Sequence, residues 1–385
     1  MKKRILFIVT YMDTGGISRS LQNFLNRYDT SEYDVDVFAM VHQGGFKGAF
    51  ANCTVLKRNR LIEASVAHYE NQRGFAKIES LVLKLADKLT NYKVQISLFK
   101  KTGKKLLQER SYDAVIGFSE GLPTVFVSIM SHPNRIAWIH CDYANYMMVG
   151  TGVPGISVYK KIHKIVCVSE FTRTTFVNIY SSLAERTRTV YNIIDSEMMQ
   201  AKKKELISED FDEGCFNIVS VGRIDPVKRL SVVPELARIV SDAGCRIRWY
   251  VIGPKESDDE QRRFNANIKQ YKVEKIVLPL GEKTNPYPYI SKADLLVNTS
   301  ISEACPYVIN EAKILGTPVV CTDFGSAKEF IDYGKNGYYE PIEKMAERII
   351  WLINNPSDLF SLKQNLMSFR YDNQEILNQI SKLIN

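Results

Sequence analysis

The sequence predicts an α/β protein built from two doubly wound domains, each with a Rossmann-like sheet. Its 385 residues exceed the length that one hydrophobic core usually serves, which indicates two domains. Short apolar runs of strand length alternate with helical or loop stretches, an order typical of a parallel sheet covered by helices. A glycine turn follows the opening run of each half, at Gly15-Gly16 and at Gly222.

The first strand is predicted at residues 5–9, after three basic residues. This run is too short for a secretory signal peptide and no small-residue cleavage site follows it, so we interpret it as a buried parallel strand. Leu21, Phe24 and Leu25 then predict a helix with one apolar face. The glycine pair before this helix either lets the backbone approach a ligand closely or serves a turn that needs positive φ.

Four more strand-like runs follow in the first half. They span residues 35–40, 113–118, 135–140 and 164–169. His140 ends the third run, so we expect it at the carboxyl edge of the sheet, where open α/β sheets bind ligands. The alternative is a histidine that only hydrogen-bonds a loop carbonyl. Ser169 is predicted to cap the next helix. Residues 119–121 end a strand near the expected ligand site and could contact the acceptor, but we favour a simple loop turn.

The second half repeats the pattern after a linker at residues 191–195 and a polar stretch. Its predicted strands span residues 217–222, 246–252, 276–278, 295–298 and 318–321. Its final helix-like segments span residues 345–354 and 375–384. The predicted division is an N-terminal domain at residues 1–195, a C-terminal domain at 196–368 and a terminal helix at 369–385.

Two glutamates mark residues 300–311 as the centre of the predicted site. The segment follows a strand and opens a helix, with Pro306 suited to the first helical position because proline lacks an N–H group. Glu303 should then lie in the loop and Glu311 in the second turn. A helix N-terminus binds anions, whereas carboxylates grip neutral hydroxyls. The combination indicates a nucleotide sugar, which offers sugar and ribose hydroxyls on either side of a diphosphate.

This segment resembles the signature of the GT-B glycosyltransferases of family 4, two glutamates separated by seven residues. A lone pair at this spacing is weak evidence, but the flanking sequence is specific. Residues 312–320 are similar to the family's glycine-closed helix and following strand, and residues 219–229 to its strand, Gly-Arg turn and lysine. The resemblance covers most of the chain and is sharp from about residue 219 to 337. It implies the GT-B architecture, with two Rossmann-like domains facing a central cleft and the last helix packed back on the first domain.

The resemblance also implies roles for individual residues. Arg223 and Lys228 match cations that the family places on the diphosphate. Glu303 matches the residue with which the family holds sugar hydroxyls. Glu311 would accept hydrogen bonds from the ribose, and His140 would contact the donor sugar or line the reaction centre. The predicted catalytic residues are therefore His140, Arg223, Lys228 and Glu303. The other predicted donor contacts are Gly15, Gly16, Ala304, Cys305, Pro306 and Tyr307.

Alternatives and departures from the family pattern remain at several of these positions. Arg223 and Lys228 could be solvated charges, and Glu311 a helix-surface carboxylate. Arg229 stands where the family usually has glycine, residues 304–306 replace its glycine-rich triplet, and Ile193 replaces the glycine of its Asn-Gly-x-Asp linker. These departures leave the local geometry of the turn, the loop and the hinge to be established.

The chemistry follows from the leaving group. Transfer of a sugar releases a nucleoside diphosphate with growing negative charge, so cations must lie where that charge appears. Neither Arg223 nor Lys228 is followed by an Asp-x-Asp arrangement that would hold a divalent metal. The resemblance therefore implies that side chains and helix N-termini replace the metal, that no cofactor is needed and that the anomeric configuration is retained.

The expected activity is transfer of a hexose-type sugar from a nucleotide sugar to a lipid-linked saccharide acceptor in cell-surface polysaccharide synthesis. Residues 281–290 occupy the position where the family cradles the nucleobase, and we favour a UDP-sugar. A nucleotide-sugar epimerase and a catalytically silent partner subunit of the same fold are the alternatives. No nucleic-acid partner is expected.

Cysteine use and charge bear on the location of the protein. Its seven cysteines are scattered without a Cys-x-x-Cys pair, as expected for reduced thiols in a cytosol. Residues 1–195 hold 26 Lys and Arg against 16 Asp and Glu, and ten of these basic residues fall within residues 70–110, interleaved with apolar ones. This stretch predicts either a helix on the cytosolic face of an anionic membrane or a surface helix with its apolar side buried.

Overall fold

The computed structural model describes residues 2–12, 15–42, 52–67, 74–149, 153–209 and 211–385. Its internal contacts divide the chain into two compact units. Unit 1 comprises Met1–Ile193 together with Asn373–Asn385, and unit 2 comprises Ile194–Asp372. The predicted division placed the first boundary after residue 195 and gave the terminal helix residues 369–385.

Within its described residues, unit 1 holds a seven-stranded parallel sheet in the order β3-β2-β1-β4-β5-β6-β7. The strands are β1 (Lys3–Tyr11), β2 (Tyr33–Val41), β3 (Thr54–Val55), β4 (Ala114–Gly117), β5 (Arg135–Ile139), β6 (Lys164–Cys167) and β7 (Thr187–Thr189). The helices are α1 (Gly16–Arg27), α2 (Arg60–Val66), α3 (Phe75–Leu89), α4 (Lys93–Glu109), α5 (Leu122–Ser128), α6 (Tyr143–Val149), α7 (Ile156–Tyr159) and α8 (Glu170–Ile179). A 3-10 helix spans Ser181–Arg186.

The core of unit 1 lies on both faces of this sheet. Successive residues of β1 are fully buried, including Ile5, Leu6 and Ile8, because helices cover the two faces to which alternate side chains point. This explains why the strand is a continuous apolar run and not an alternating one. The helix predicted after Gly16 is α1, and its predicted apolar residues are buried. The predicted cap of α8 is also confirmed, since the Ser169 hydroxyl accepts the Thr172 N–H at 3.1 Å.

The described part of unit 2 forms a six-stranded parallel sheet in the order β10-β9-β8-β11-β12-β13. The strands are β8 (Phe216–Val221), β9 (Ile247–Ile252), β10 (Val277–Gly281), β11 (Leu295–Asn298), β12 (Val319–Thr322) and β13 (Gly337–Glu340). The helices are α9 (Ser196–Lys202), α10 (Val233–Asp242), α11 (Asp258–Gln270), α12 (Tyr287–Lys292), α13 (Tyr307–Leu315), α14 (Ala327–Phe330), α15 (Ile342–Asn354) and α16 (Pro356–Met367). The two Rossmann-like sheets confirm the predicted fold class.

Glycines bring the ends of β8 and β9 close together. Gly253 has φ +155°, and a Cβ there would lie 1.7 Å from the Gly222 carbonyl oxygen. No other residue type fits this contact, because real Cβ atoms never approach an oxygen so closely. The tight approach fixes the point from which the turn after β8 begins.

The last helix, α17 (Asn373–Ile384), belongs to unit 1. It buries Ile376 and Ile380 there, and its Ser381 hydroxyl lies 2.7 Å from that of Tyr33. At its end, Lys164 donates to the Leu383 carbonyl. These contacts make the helix part of the N-terminal unit.

The predicted basic stretch at residues 70–110 contains two helices. Residues 70–73 of this stretch, including Glu70 and Arg73, lie outside the described residues, and residues 74–110 contain α3 and α4 with a turn between them. In α4, Phe99 and Leu106 are buried while the lysines at 100, 101, 104 and 105 are exposed. That helix therefore fits the surface-helix interpretation, whereas α3 does not. Among the helices within the described ranges, none combines the length and the apolar character needed to span a membrane.

Candidate active site

The site in unit 2 is built from the turns that follow β8 and β11. These strands are neighbours in the sheet, so their carboxyl ends meet at one edge. The Ile301 N–H donates to the Val227 carbonyl at 2.8 Å, and the Thr299 hydroxyl donates to the Lys228 carbonyl at 2.8 Å. Main-chain hydrogen bonds thus hold the two turns in register.

An ion pair joins the two turns through side chains. The Lys228 Nζ lies 2.6 Å from Oε1 of Glu303, and only 10% of the Glu303 side chain is exposed. Ser300 donates to the same oxygen at 2.7 Å, and the Asn298 amide at 3.3 Å. The lysine stem runs beside Gly222, where a Cβ would lie 3.4 Å from the lysine Cγ. Neighbouring residues of both turns therefore hold the cation and the carboxylate in place.

The protonation state of Glu303 follows from these neighbours. Burial raises the pKa of its carboxyl, but the Lys228 ammonium and the Ser300 and Asn298 donors outweigh that effect, so the pKa lies below its ordinary value. Glu303 is consequently ionised at neutral pH. An ionised carboxylate accepts hydrogen bonds only, so it suits a ligand that presents hydroxyl groups.

Asp225 organises the other cation and was missed by the sequence interpretation. Its Oδ2 lies 3.0 Å from the Arg223 guanidinium, and its Oδ1 accepts the Lys228 N–H at 2.7 Å. Arg223 also approaches Glu256 at 3.6 Å and keeps 49% of its side chain exposed. Its position three residues before Lys228 could have predicted this role, since aspartate side chains in turns often accept hydrogen bonds from nearby backbone N–H groups.

Arg229 adopts the left-handed conformation, with φ +50° and ψ +39°. This region costs an ordinary residue about 1–2 kcal/mol, whereas glycine enters it freely. The structure thus shows why a glycine suits this position, and the turn keeps its shape with arginine in its place. The Arg229 Nε also donates to the Thr299 carbonyl at 3.3 Å.

The helix α13 begins one residue later than predicted. Pro306 has ψ +105° and is the N-cap, so Tyr307 is the first helical residue. The cap provides no side-chain hydrogen bond, which leaves first-turn N–H groups to be satisfied in other ways. The preceding loop is held by Ser326, whose hydroxyl donates to the Glu303 carbonyl oxygen at 2.8 Å. Gly316 ends the helix with φ +86°, as predicted.

The second glutamate is not on the helix surface. Glu311 lies in the second turn of α13, as expected, but it is only 2% exposed. This burial argues against the interpretation of a solvated surface carboxylate. Ala304 is buried as well, and Cys305 is partly exposed.

The remaining predicted residues belong to unit 1. Gly15 is the N-cap of α1 with φ −72°, and Gly16 is the first helical residue. Neither glycine is among the described positive-φ residues, so the turn does not require glycine for its φ angle. A Cβ on Gly16 would meet no atom within 4 Å. The open space beside this helix N-terminus is consistent with close approach of a ligand.

His140 follows β5 and is held by its backbone. Its N–H donates to Oε2 of Glu120 at 2.8 Å, and its ring meets Phe118 edge-on with 4.7 Å between ring centroids. Burial lowers the pKa of the imidazole to about 3, so the ring is neutral. Its Nε2 is buried and has no hydrogen-bond partner in the described part of the chain. Such an orphaned polar atom calls for a partner, which a ligand hydroxyl can supply.

Glu120 was predicted only as part of a loop turn. Burial raises the pKa of its carboxyl, although the hydrogen bond from the His140 N–H acts in the opposite direction. The side chain therefore supports the loop that carries His140. Unit 1 thus brings the glycine pair and His140 to the carboxyl edge of one sheet, after β1 and β5, while unit 2 assembles Arg223, Lys228, Glu303 and α13.

Comparison with known proteins shows likenesses of sequence and of fold. Residues 201–367 match the family described as glycosyl transferases group 1. One curated relative, from Campylobacter jejuni, is named N-acetylgalactosamine-N,N'-diacetylbacillosaminyl-diphospho-undecaprenol 4-alpha-N-acetylgalactosaminyltransferase, and it is 30% identical over 172 residues, 44% of each chain. The amylovoran biosynthesis glycosyltransferase AmsK of Erwinia amylovora is 24% identical over 166 residues, 41% of this chain and 39% of its own. The chain therefore spans less than half the length of these relatives.

The solved structures extend the likeness to the whole chain. HepE of Anabaena, in a crystal structure with UDP and glucose, superposes with a TM-score of 0.73 over 98% of each chain at 19% identity. At this identity the likeness shows the fold. The chain has the GT-B fold, and residues 201–367, less than half of its length, match the family of glycosyl transferases group 1.

Proposed function

We propose that this protein is a retaining glycosyltransferase that moves a hexose-type sugar from a nucleotide sugar to a saccharide acceptor. The observation that carries the proposal is the buried Lys228–Glu303 pair beside the N-terminus of α13. It sets a cation, a hydroxyl-binding carboxylate and a positive helix end side by side. A sugar diphosphate needs these three features, because its charge, its hydroxyls and its phosphate oxygens lie next to one another.

The leaving diphosphate is assigned to the cations of unit 2. Arg223 is half-exposed and tethered by the buried Asp225, so its guanidinium can reach a phosphate without losing its orientation. Lys228 follows on the same turn, where its N–H donates to the same aspartate, and the first-turn N–H groups of α13 add a partial positive charge. As the bond from the anomeric carbon to oxygen breaks, these groups stabilise the charge that develops on the diphosphate.

The hydroxyl groups of the donor are assigned to the two glutamates. Glu303 accepts from hydroxyls of the transferred sugar, and Glu311 from those of the ribose. Both carboxylates are largely buried, and hydrogen bonds to a charged group are stronger than those between neutral groups. A ligand with hydroxyls in both places is therefore favoured. The backbone of residues 304–307 completes the phosphate and sugar contacts.

Within unit 1, we assign to His140 a contact with the donor sugar. The His140 ring carries no charge at neutral pH, so it can hydrogen-bond a sugar hydroxyl through Nε2 without repelling the positive charge that develops at the anomeric carbon. Gly15 and Gly16 allow the diphosphate to approach the N-terminus of α1. We therefore assign to these groups a sugar transfer that retains the anomeric configuration and uses no metal ion.

The proposed donor and acceptor follow from the names of similar proteins. The Campylobacter jejuni relative is named for a diphospho-undecaprenol-linked acceptor, and the HepE structures contain UDP and UDP-glucose. We assign to this chain a UDP-sugar donor and a lipid-linked saccharide acceptor in cell-surface polysaccharide synthesis. Such an acceptor lies in a membrane, which would place the protein in the cytoplasm at the inner face of that membrane.

The decisive experiment is a thermal-shift screen with nucleotide sugars followed by product analysis. A ligand that binds only the folded protein raises its melting temperature by mass action, so the correct donor should be the one that shifts it most. That donor is then incubated with lipid-linked saccharides. Extension of the acceptor with the same anomeric configuration supports the proposal. Isomerised nucleotide sugar without transfer would indicate an epimerase, and binding without any turnover a silent subunit.

A further inference from the structure

Helix α3 exposes a stripe of large apolar side chains. Each is between 58% and 78% exposed, although they recur at the three- and four-residue spacing that normally marks a buried face. We call this set the α3 stripe, and it consists of Phe75, Ile78, Leu81, Val82, Leu85 and Leu89. Single apolar residues on a surface need no explanation, but a contiguous row along four turns of one helix does.

The opposite, polar face attaches α3 to unit 1. Ser80 and Asp87 are its buried residues, and Oδ1 of Asp87 accepts the Gln95 N–H at 2.7 Å. Lys84 donates to the Ala67 carbonyl at 2.6 Å, and Glu79 pairs with Arg60 at 2.8 Å. The helix is therefore anchored through hydrogen bonds and an ion pair, and its apolar side is turned away from the unit. This is the reverse of an ordinary surface helix.

The neighbouring helix shows that the exposure is particular to α3. Helix α4 buries Phe99 and Leu106 in the core and turns its lysines outward. Both helices carry large apolar residues at helical spacing, yet only α4 buries any of them. The α3 stripe therefore has a partner outside the described part of the chain.

Charge identifies the class of partner. Lys77 and Lys88 on α3 and Lys93, Lys100, Lys101 and Lys104 on α4 are exposed, whereas Glu109 is the one exposed carboxylate among residues 74–110, so the exposed charge of these two helices is mainly basic. A second copy of the chain would bring the same positive charge against it. An anionic lipid surface offers an apolar medium to the stripe and negative charge to the lysines.

We infer that α3 lies in the interface of an anionic membrane, with its stripe among the upper acyl chains and the lysines at the headgroups. Long lysine side chains can reach the headgroup level while their stems stay apolar. The inference deepens the proposed function, on which it rests for the lipid-linked acceptor, by naming the surface through which unit 1 would meet that lipid. Its physical basis is the inverted burial of α3.

The test is co-sedimentation of the full chain with vesicles of phosphatidylcholine, alone or mixed with phosphatidylglycerol. The wild-type protein should sediment with the mixed vesicles and bind at least about tenfold less to the neutral ones, and added salt should weaken the difference. The variant Ile78→Gln/Val82→Gln/Leu85→Gln should lose about tenfold or more of its binding to the mixed vesicles, because it removes the apolar centre of the stripe.

Two controls keep the result interpretable. Phe360→Gln changes an equally exposed apolar residue on α16 and should sediment like wild type. The stripe variant alters exposed side chains only, so its melting temperature should match that of wild type, which shows that it is folded. Undiminished sedimentation of this variant, or equal binding of wild type to both vesicle types, would overturn the inference.

A second copy of the chain is the competing partner. Light scattering would then show a wild-type dimer that the triple variant converts to a monomer, without vesicle binding, and that result would overturn the membrane assignment. None of these measurements needs a donor or an acceptor. The membrane-binding inference can therefore be overturned while the transferase proposal stands, and the transferase proposal can be overturned while the protein still binds vesicles.

Discussion

The Lys228 ammonium lies 2.6 Å from the Glu303 carboxylate, and the two residues come from turns that follow the neighbouring strands β8 and β11. The pair therefore joins the two segments of unit 2 that the sequence singled out separately. Ser300 and Asn298 also donate to this carboxylate and fix its position. Preorganised charges of this kind cost no rearrangement when the transition state forms.

The first prediction concerns the strength of this pair. Glu303→Gln should lower the free energy of unfolding by about 2–4 kcal/mol, because it leaves the partly buried Lys228 ammonium without a counter-charge. Lys228→Met should cost a similar amount for the converse reason. Urea unfolding of wild type, both single variants and the double variant forms a complete cycle.

The double variant should lose less stability than the sum of the two single losses, by about 1–3 kcal/mol. Additive losses would mean that the two residues do not interact in solution. The same proteins should be titrated with UDP and with the UDP-sugar. Glu303→Gln is expected to weaken binding of the sugar nucleotide more than that of UDP, since the carboxylate is assigned to sugar hydroxyls.

The second prediction concerns Glu311. Glu311→Gln keeps the shape of this buried side chain but removes its charge, so UDP binding should weaken by about 1.5–3 kcal/mol as charge-assisted hydrogen bonds to the ribose are lost. Isothermal titration calorimetry measures the difference. Glu347→Gln, on the exposed face of α15, is the matched control and should bind like wild type. Unchanged affinity in the Glu311 variant would remove this residue from the donor site.

The third prediction uses the left-handed backbone at Arg229. Arg229→Ala and Arg229→Gly both lose the hydrogen bond from Nε to the Thr299 carbonyl, but only glycine relieves the strain at φ +50°. The glycine variant should therefore be about 1 kcal/mol more stable than the alanine variant. Denaturant midpoints of the two variants give this comparison directly. A more stable alanine variant would show that the turn is not left-handed in solution.

Buried strands were predictable from the sequence because both of their faces are covered. The run at residues 5–9 lies inside β1, and the runs at 217–222 and 295–298 correspond to β8 and β11. The edge strand β3 was not predicted, since its two residues are exposed and carry no apolar pattern. Strand β13 was missed for a related reason, because Gly337–Glu340 mixes glycine, tyrosine and glutamate.

The parts of the site that escaped prediction depend on contacts between distant segments. Asn298 and Ser300 looked like ordinary strand-end residues, yet both donate to Glu303 because the loop folds back over the end of β11. The orientation of α3 could not be predicted either. Periodicity identifies an apolar face but not which face packs, and here the hydrogen bond of Asp87 and the ion pair of Glu79 decide it.

The fourth prediction tests the role of protein cations in place of a metal. Once a donor is identified, transfer should proceed at the same rate with and without EDTA, because Arg223, Lys228 and helix N-termini are assigned to the diphosphate. Arg223→Met should reduce the rate at least about a hundredfold, as expected when a donor to the developing charge is removed. EDTA saturated with magnesium controls for non-specific effects. Loss of activity with EDTA and recovery with manganese would show that a metal ion, and not these side chains, stabilises the diphosphate.

The last prediction follows from the neutral imidazole of His140. Burial lowers its pKa in the folded protein from 6.5 to about 3, so the unfolded chain binds a proton at mildly acidic pH that the folded protein does not. The free energy of unfolding must therefore fall as the pH drops from about 6.5 towards 3, and this residue should account for a loss of about 2 kcal/mol between pH 7 and pH 5. His140→Phe removes the titrating group while keeping an aromatic ring beside Phe118. Urea unfolding of both proteins at the two pH values measures the difference, because all other titrating groups are shared. The same pH dependence in wild type and variant would show that the ring is accessible to protons, and its assignment as a neutral hydrogen-bonding partner of the sugar would have to be abandoned.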